Sequence, residues 1–371
     1  MEQNILKGIV EFEGRAGGFV RQPSLGLNAN PSDPRISPHL LNTFAIRNAS
    51  GLEYSVHPRG RGNEIKEVLS INGLKPEEWK SVAEFSMRTA IDPFDRLRLT
   101  TGPADYSMRV VDLLCPIGKG QRALIVSPPK SGKTILMQQF AKSISENHPE
   151  IELLVLLVDE RPEEVTDMRR TIRGEVFASS SDSDRESHVR LARLVLEYAK
   201  RKVEAGKDVV LLLDSLTRMG RAFNAVQKSS GRTMSGGVDI RALEMPKRIF
   251  GAARALEGGG SLTIIATALV DTNSRMDELI FQEFKGTGNM ELVLSRDLAN
   301  ERIFPAINIP ESGTRREELL FGSDTRHYQA LRRALHRMKP KEAMLTLLKS
   351  IEQYPTNRRL LLQFSGAPAP V

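Results

Sequence analysis

One eight-residue segment restricts the folds open to this chain more than any other: Ser127-Pro128-Pro129-Lys130-Ser131-Gly132-Lys133-Thr134. It follows an apolar run, Ala123 to Val126, and leads into a stretch of helical pattern from Lys133 to Glu146. A buried strand that turns through a small polar loop into a helix points successive backbone N–H groups and the helix N-terminus at one place, which makes a cradle for an anion. Gly132 lets the backbone close round a phosphate with no Cβ in the way. In a cradle built from Ser131 to Thr134, Lys133 reaches the β- and γ-phosphates of a nucleoside triphosphate and the Thr134 hydroxyl holds Mg2+. The usual first glycine is Ser127 here, so the pattern is missed by one residue and an accidental Gly-Lys-Thr is the competing explanation. Carboxylates at neighbouring strand ends decide between the two.

Two are in place. The apolar run Val209 to Leu213 ends in Asp214, the position from which a carboxylate completes the magnesium shell. The run Ile151 to Val158 ends in Asp159-Glu160-Arg161-Pro162-Glu163-Glu164. Pro162, Glu163 and Glu164 read as first-turn helix chemistry. Glu160 instead stands at the carboxyl end of a strand, the edge where open α/β sheets hold their ligands. A carboxylate there polarises the water that attacks the γ-phosphate, which makes Glu160 the expected catalytic base. Further apolar runs at Ser261 to Leu269 and Met290 to Leu294, with helical stretches between runs such as Glu186 to Ala205, predict an α/β fold with a mostly parallel sheet covered on both faces. From about Asp324 the pattern predicts two or three short amphipathic helices.

The first third has another rhythm. Ile9 to Phe12 and Gly18 to Arg21 flank a Gly-rich turn, and Leu52 to Val56 and Glu64 to Ile71 flank His57 to Asn63. Short strands at this spacing predict a small OB-type barrel over residues 1–75. Residues 76–115 then read as an irregular connector and 116–371 as the nucleotide-binding domain.

Formal charge is +7, from 53 basic against 46 acidic residues. Residues 1–115 balance at 14 and 14, and the steepest excess lies beyond Arg316, with Arg326, Arg332, Arg333, Arg337, Lys339 and Lys341. Such a tail can serve nucleic acid but more often is a solvated helix face, so charge alone names no partner. A single cysteine, Cys115, excludes an internal disulfide framework and a cysteine zinc cluster. No apolar run reaches the ~18 residues of a membrane span and no signal sequence opens the chain, which predicts a cytoplasmic protein with no membrane partner.

The stretch from about Asp112 to Leu320 resembles the Rho family of bacterial transcription termination factors, hexameric RNA-dependent ATPases and helicases. The likeness runs through Pro116 to Arg122, the Pro-Pro-Lys-Ser-Gly-Lys-Thr loop, Asp159 to Val165, Val210 to Arg218, Lys247 to Arg254, Gly258 to Ala268, Glu283 to Glu291 and Ser312 to Leu320. It implies a RecA-like P-loop motor in a homo-hexameric ring with nucleotide sites between subunits, translocating on single-stranded RNA and dismantling the complexes of RNA polymerase. It also implies roles that spacing does not reveal. Lys130 joins Lys133 and Thr134 at the phosphates, Arg161 couples adjacent sites, and Arg302 and Phe304 line the nucleotide pocket with the Phe304 ring on adenine. Arg315, by pattern an ordinary turn arginine, matches the arginine finger given to the neighbouring subunit. Two loops match RNA-gripping elements at the centre of the ring: Lys228 to Gly237, with Arg232 and Thr233, and Lys285 to Gly288, with Gly286. Their glycines permit close approach and Arg232 and Lys285 supply phosphate contacts.

The N-terminal third is less similar to the family's cold-shock-like primary RNA-binding domain. Phe19 takes the place of a base-stacking aromatic, but Gly17 and Arg35 stand where two others are expected. Stacking is worth ~1–3 kcal/mol per base, so weak binding of pyrimidine-rich strands is expected, with Arg35, Arg59 and Arg61 compensating through phosphates. Two other readings stay open. One is a rotary- or secretion-type ATPase subunit, which shares the core but typically has glycines where Pro-Pro-Lys stands; the other is a Rho-like RNA-binding ring without termination activity.

Overall fold

A computed structural model describes residues 5–14, 17–59, 62–227, 237–239 and 241–364, the side chain of Arg59 aside. Five strands close the first unit: β1 (Leu6–Phe12), β2 (Gly18–Arg21), β3 (Arg35–Ile36), β4 (Gly51–Arg59) and β5 (Gly62–Ile71), in the order β1-β2-β3-β5-β4. This is the expected small barrel, filled by inward residues such as Val10, Val20, Ile36 and Tyr54. β4 runs past the expected Val56 and takes in Pro58, which pairs with Asn63 close to the hairpin end, where a missing N–H is tolerated. Helix α1 (Pro38–Thr43) links β3 to β4, capped by the Ser37 side chain accepting from the Leu40 N–H.

Residues 76–115, expected to be irregular, are largely built into the fold. Helix α2 (Pro76–Trp79) lays Trp79 on the barrel core. Strands β6 (Ala90–Ile91) and β7 (Arg96–Leu97) pair with segments of the next unit, and α3 (Tyr106–Leu114) is buried from Met108 to Leu114. The polar side of α3, with Arg109 and Asp112 three residues apart, faces inward instead of to solvent. Its two charged residues are buried and satisfied by backbone: Arg109 donates to the carbonyls of Pro103, Ile351 and Tyr354, and Asp112 accepts from the N–H groups of Leu99 and Thr100.

The second unit continues with β8 (Ile117–Gly118), β9 (Arg122–Ser127), α4 (Lys133–Asn147), β10 (Glu152–Glu160), α5 (Pro162–Thr171), β11 (Glu175–Ser180), α6 (Arg185–Glu204), β12 (Asp208–Asp214), α7 (Leu216–Val226) and α8 (Glu244–Gly251). After these come β13 (Arg254–Leu256), β14 (Ser261–Leu269), α9 (Arg275–Phe284), β15 (Met290–Val293), α10 (Arg296–Asn300) and β16 (Gly313–Thr314). The sheet runs β11-β10-β12-β14-β9-β15-β16 and is parallel up to β15, with β16 antiparallel and with β13 and β6 added beside β14. Its central strands bury both faces: along β10, Val155 and Leu157 join the core under the C-terminal helices, while Leu154, Leu156 and Val158 join the opposite one. The edge strand β11, Glu-Val-Phe-Ala-Ser-Ser, is too polar to read as an apolar run. The chain closes with α11 (Glu318–Phe321) and then α12 (Thr325–His336), α13 (Pro340–Gln353) and α14 (Asn357–Leu362), the expected helices of the tail. The barrel docks on α6, where Arg190 donates to both oxygens of Glu11 at 2.5 Å, and Arg47 pairs with Glu204 at 2.7 Å.

Candidate active site

Because β9 ends at Ser127 and α4 starts at Lys133, the loop lies at the carboxyl edge of the sheet, between β14 and β15. Lys130 (φ 64°) and Gly132 (φ 91°) take left-handed backbone, which curls the loop over the helix start, and a Cβ on Gly132 would stand 3.4 Å from the Phe304 ring. The missing first glycine is accounted for. The Ser127 hydroxyl lies 2.9 Å from that of Ser131, and both bond the Pro128 carbonyl, at 3.1 and 2.8 Å, so the departure clips the loop together from inside.

Adjacent strands bring the two carboxylates to the same edge, with Leu157 opposite Asp214. Lys133 Nζ donates to both Asp214 oxygens, at 2.5 Å to Oδ1, and lies 3.4 Å from Glu160 Oε1. Thr267 Oγ1, from β14, donates to Asp214 Oδ1 at 2.7 Å. Arg218, on α7, sets its Nε 3.2 Å from Glu160 Oε1 and donates from Nη1 to the Asp159 carbonyl. Glu160 is only 2% exposed, and its Oε2 has no partner among the described residues. Burial, and then the Asp214 charge, push the Glu160 carboxyl up to about 7 against the pull of Lys133 and Arg218. Burial pulls Lys133 the other way, but Asp214 and Glu160 outweigh it and hold the ammonium above its usual range. A carboxylate poised near neutrality is suited to taking a proton and giving it back.

The fold family implies ATP with Mg2+. Thr134, Asp214 and Glu160 supply only hard oxygen donors, the type magnesium prefers, and Glu160 Oε2 is a buried acceptor still unsatisfied, so the residues fit. Phe304, 45% exposed, lines a cavity of about 270 Å³ beside the loop together with Ser131, Gly132, Ile135 and Gln139. Arg302, in left-handed backbone, is exposed two residues before it, and Arg161 is the exposed N-cap residue of α5, directly after Glu160.

Arg315 does not join this cluster. Met290 pairs with Thr314 on one side and Ala123 on the other, so Arg315 lies beside the amino end of β9, roughly 13 Å of strand from Ser127. It shares that edge with Arg122 and Arg254; burial and then the Arg254 and Arg315 guanidiniums push Arg122 below its usual range. Among the RNA candidates, Phe19 and Arg35 are cross-strand partners and line one cleft with Asp33 and Glu64. Arg21 stacks 5.1 Å from the Phe19 ring centre. Lys285 is exposed at the end of α9, and the Gly286 N–H (φ 82°) donates to Glu291. Arg61, Arg232, Thr233 and the side chain of Arg59 lie outside the described residues. Arg218, Thr267, Arg122 and Arg254 escaped the sequence reading; Thr267 meets Asp214 from 53 residues away, and no local pattern marks such a contact.

Fold and site together define a class: an ATP-hydrolysing enzyme built on the nucleotide-binding domain of the ATP synthase alpha/beta family, whose model matches residues 107–314. A solved type III secretion system ATPase of pathogenic bacteria shares the fold, with a TM-score of 0.60 and 21% identity over 75% of this chain and 87% of that one. Relatives at higher identity narrow the class. Transcription termination factor Rho of Streptomyces coelicolor is 50% identical over 98% of this chain and 86% of its own length, that of Pseudomonas aeruginosa 49% over 94% and 85%, and that of Allochromatium vinosum 48% over 97% and 88%. The chain belongs to the transcription termination factor Rho family. Among the described residues no helix is long and apolar enough to cross a membrane.

Proposed function

We propose that this protein is an RNA-stimulated ATPase that moves along single-stranded RNA and ends transcription by dismantling the complex formed by RNA polymerase, working in the cytoplasm as a homo-hexameric ring. The observation that carries this reading is the Lys133–Asp214–Glu160 cluster beside an anion cradle, in a chain of this family. The backbone from Ser131 to Thr134, with Lys130 and Lys133, holds the phosphates. Thr134 and Asp214 hold Mg2+, which when bound neutralises charge on the phosphate oxygens. Glu160 takes the proton of the attacking water, and Arg218 limits the cost of its charge. Phe304, Arg302 and Arg161 hold the nucleotide from the side. Arg315, set away from its own loop, serves the site of a neighbouring subunit, where its charge stabilises the transition state.

On this reading residues 1–75 form the RNA-binding barrel, 76–115 the connector and 116–371 the motor. Arg232, Thr233, Lys285 and Gly286 grip RNA at the ring's centre, while Phe19, Arg35, Arg59 and Arg61 hold it at the barrel. The test is ATP hydrolysis with and without single-stranded RNA, for wild type and Glu160→Gln. RNA should raise the wild-type rate, and the variant should bind nucleotide but turn over at least ~100-fold more slowly. A variant hydrolysing at the wild-type rate removes the base assignment; a wild type indifferent to RNA removes the motor reading.

A further inference from the structure

Some cations on this surface stand within 4.0 Å of a carboxylate, as Lys7, Lys247 and Arg316 do, and others, such as Lys66, Arg170 and Arg173, do not among the described residues. What marks the outer face of α12 is a run of charge of one sign. Between Thr325 and Lys341 there are six Arg or Lys residues and no Asp or Glu. Arg332 turns inward, donating to the Ser312 and Leu114 carbonyls, and Lys341 reaches Glu301. The other four, Arg326, Arg333, Arg337 and Lys339, are exposed, and none has a carboxylate within 4.0 Å among the described residues.

Positions 326, 333 and 337 fall on one helix face and span roughly 16 Å at 1.5 Å per residue. Stability does not account for them. Like charges four residues apart repel, and Arg326 stands in the first turn, where the helix dipole disfavours a cation; the dipole suits only the residues at the other end. The helix is anchored from its other side by Leu331 and Leu335. Gln329 and Arg332 line a groove shared with Gly288 and Arg315, on a flank of α12 about 60–120° round the helix from Arg326, Arg333 and Arg337. Glu291, Glu311, Glu317 and Glu318 line that groove as well, so its carboxylates disfavour a polyanion there and leave the separate α12 face as the better path.

We propose that the outer face of α12, through Arg326, Arg333 and its C-cap residue Arg337, with Lys339 at the start of α13, is a further contact for the phosphate backbone of single-stranded RNA, separate from the barrel cleft and from the glycine-rich loops. It rests on the RNA-motor reading above. Each neutralised phosphate on a single strand contributes ~0.7 to the slope of log affinity against log salt. Binding of a long uridine oligomer to the full chain is measured by fluorescence anisotropy between about 50 and 200 mM KCl, for wild type, a triple Arg326→Gln, Arg333→Gln, Arg337→Gln variant, and the matching triple Lys variant. The Gln variant should lose about 2 from the slope and bind on the order of 100-fold more weakly at 0.1 M salt, with its hydrolysis rate at saturating RNA unchanged. The Lys variant should keep the slope. A Gln variant with an unmoved slope overturns the proposal and leaves the face to solvent or to an acidic protein, and a Lys variant that loses the slope as well overturns it too, because charge would then not be the cause. RNA stimulation of wild-type hydrolysis, measured in the same samples, separates the two readings: if it is present and the slope is unmoved, only this proposal fails; if it is absent, the motor reading fails with it.

Discussion

The phosphate loop and the barrel cleft are both read as holders of polyanions, and they are built in opposite ways. At the loop the contacts come from backbone and from buried charges, with Glu160 and Asp214 2% and 1% exposed and each neighboured by a cation. At the cleft they come from side chains that stand on the outer face of paired strands, Phe19 against Arg35. A site made of backbone and buried charge tolerates few substitutions, because every change leaves a charge uncompensated. A site made of exposed side chains can trade an aromatic for an arginine and keep its fold, at a cost in affinity alone.

The sharpest way to break this comparison is at Arg315. Arg315→Ala should lower RNA-stimulated hydrolysis by ~10³-fold or more. Because Arg315 lies at the opposite edge of the sheet from its own loop, mixing Arg315→Ala chains with inactive Glu160→Gln chains should restore part of the activity. Steady-state rates of the mixtures check this, and additive, near-zero rates would show that each chain serves itself. Next in size, Lys133→Ala leaves two buried carboxylates without their shared cation and should cost about 3–5 kcal/mol in denaturant unfolding, against about 0.5 kcal/mol for Arg35→Ala on the barrel. Equal losses at the two positions would end the distinction drawn between them.

Smaller effects belong to the barrel. Phe19→Ala should weaken single-stranded RNA binding by ~1–3 kcal/mol while leaving the rate at saturating RNA unchanged, read by titration. Gly17 has φ 108°, and a Cβ there would stand 2.5 Å from the Ile36 carbonyl oxygen. Gly17→Ala should therefore destabilise the barrel by about 1–3 kcal/mol, and an aromatic at this position should not rescue RNA binding. The smallest effect concerns pH. With its carboxyl pushed up to about 7, Glu160 holds a proton in the folded chain that the unfolded chain has already released, so its contribution to stability is present at low pH and is lost as pH rises through about 7. Between pH 6 and 8 the stability of Glu160→Gln relative to wild type should rise by about 1 kcal/mol, measured by parallel urea melts.

The gathering of Lys133, Asp214 and Glu160 could be read before the structure because its chemistry is local: a strand, a loop and a helix start are consecutive, and Glu160 and Asp214 each close an apolar run. Arg315 was legible only through resemblance, since a turn arginine carries no pattern of its own. The serine clip was beyond reach, because Ser127 registers in sequence only as a missing glycine. Arg218 and Thr267 depend on which strands become neighbours, and strand order is decided by long-range packing. Helix α3 escaped the sequence reading although its polar side is present in sequence: Arg109 and Asp112, three residues apart, are buried and satisfied by backbone carbonyls and N–H groups, which only the packed fold reveals.

The connector has a mechanical consequence. Ala90–Ile91 pairs with β13 of the motor sheet, and Arg96–Leu97 with β8. A slack tether carries tension only, whereas a segment hydrogen-bonded into a sheet also resists compression and twist. A barrel reached through such stitching is held to the sheet by hydrogen bonds as well as by chain, so a shift of the sheet would carry the first 75 residues along with it, twist included.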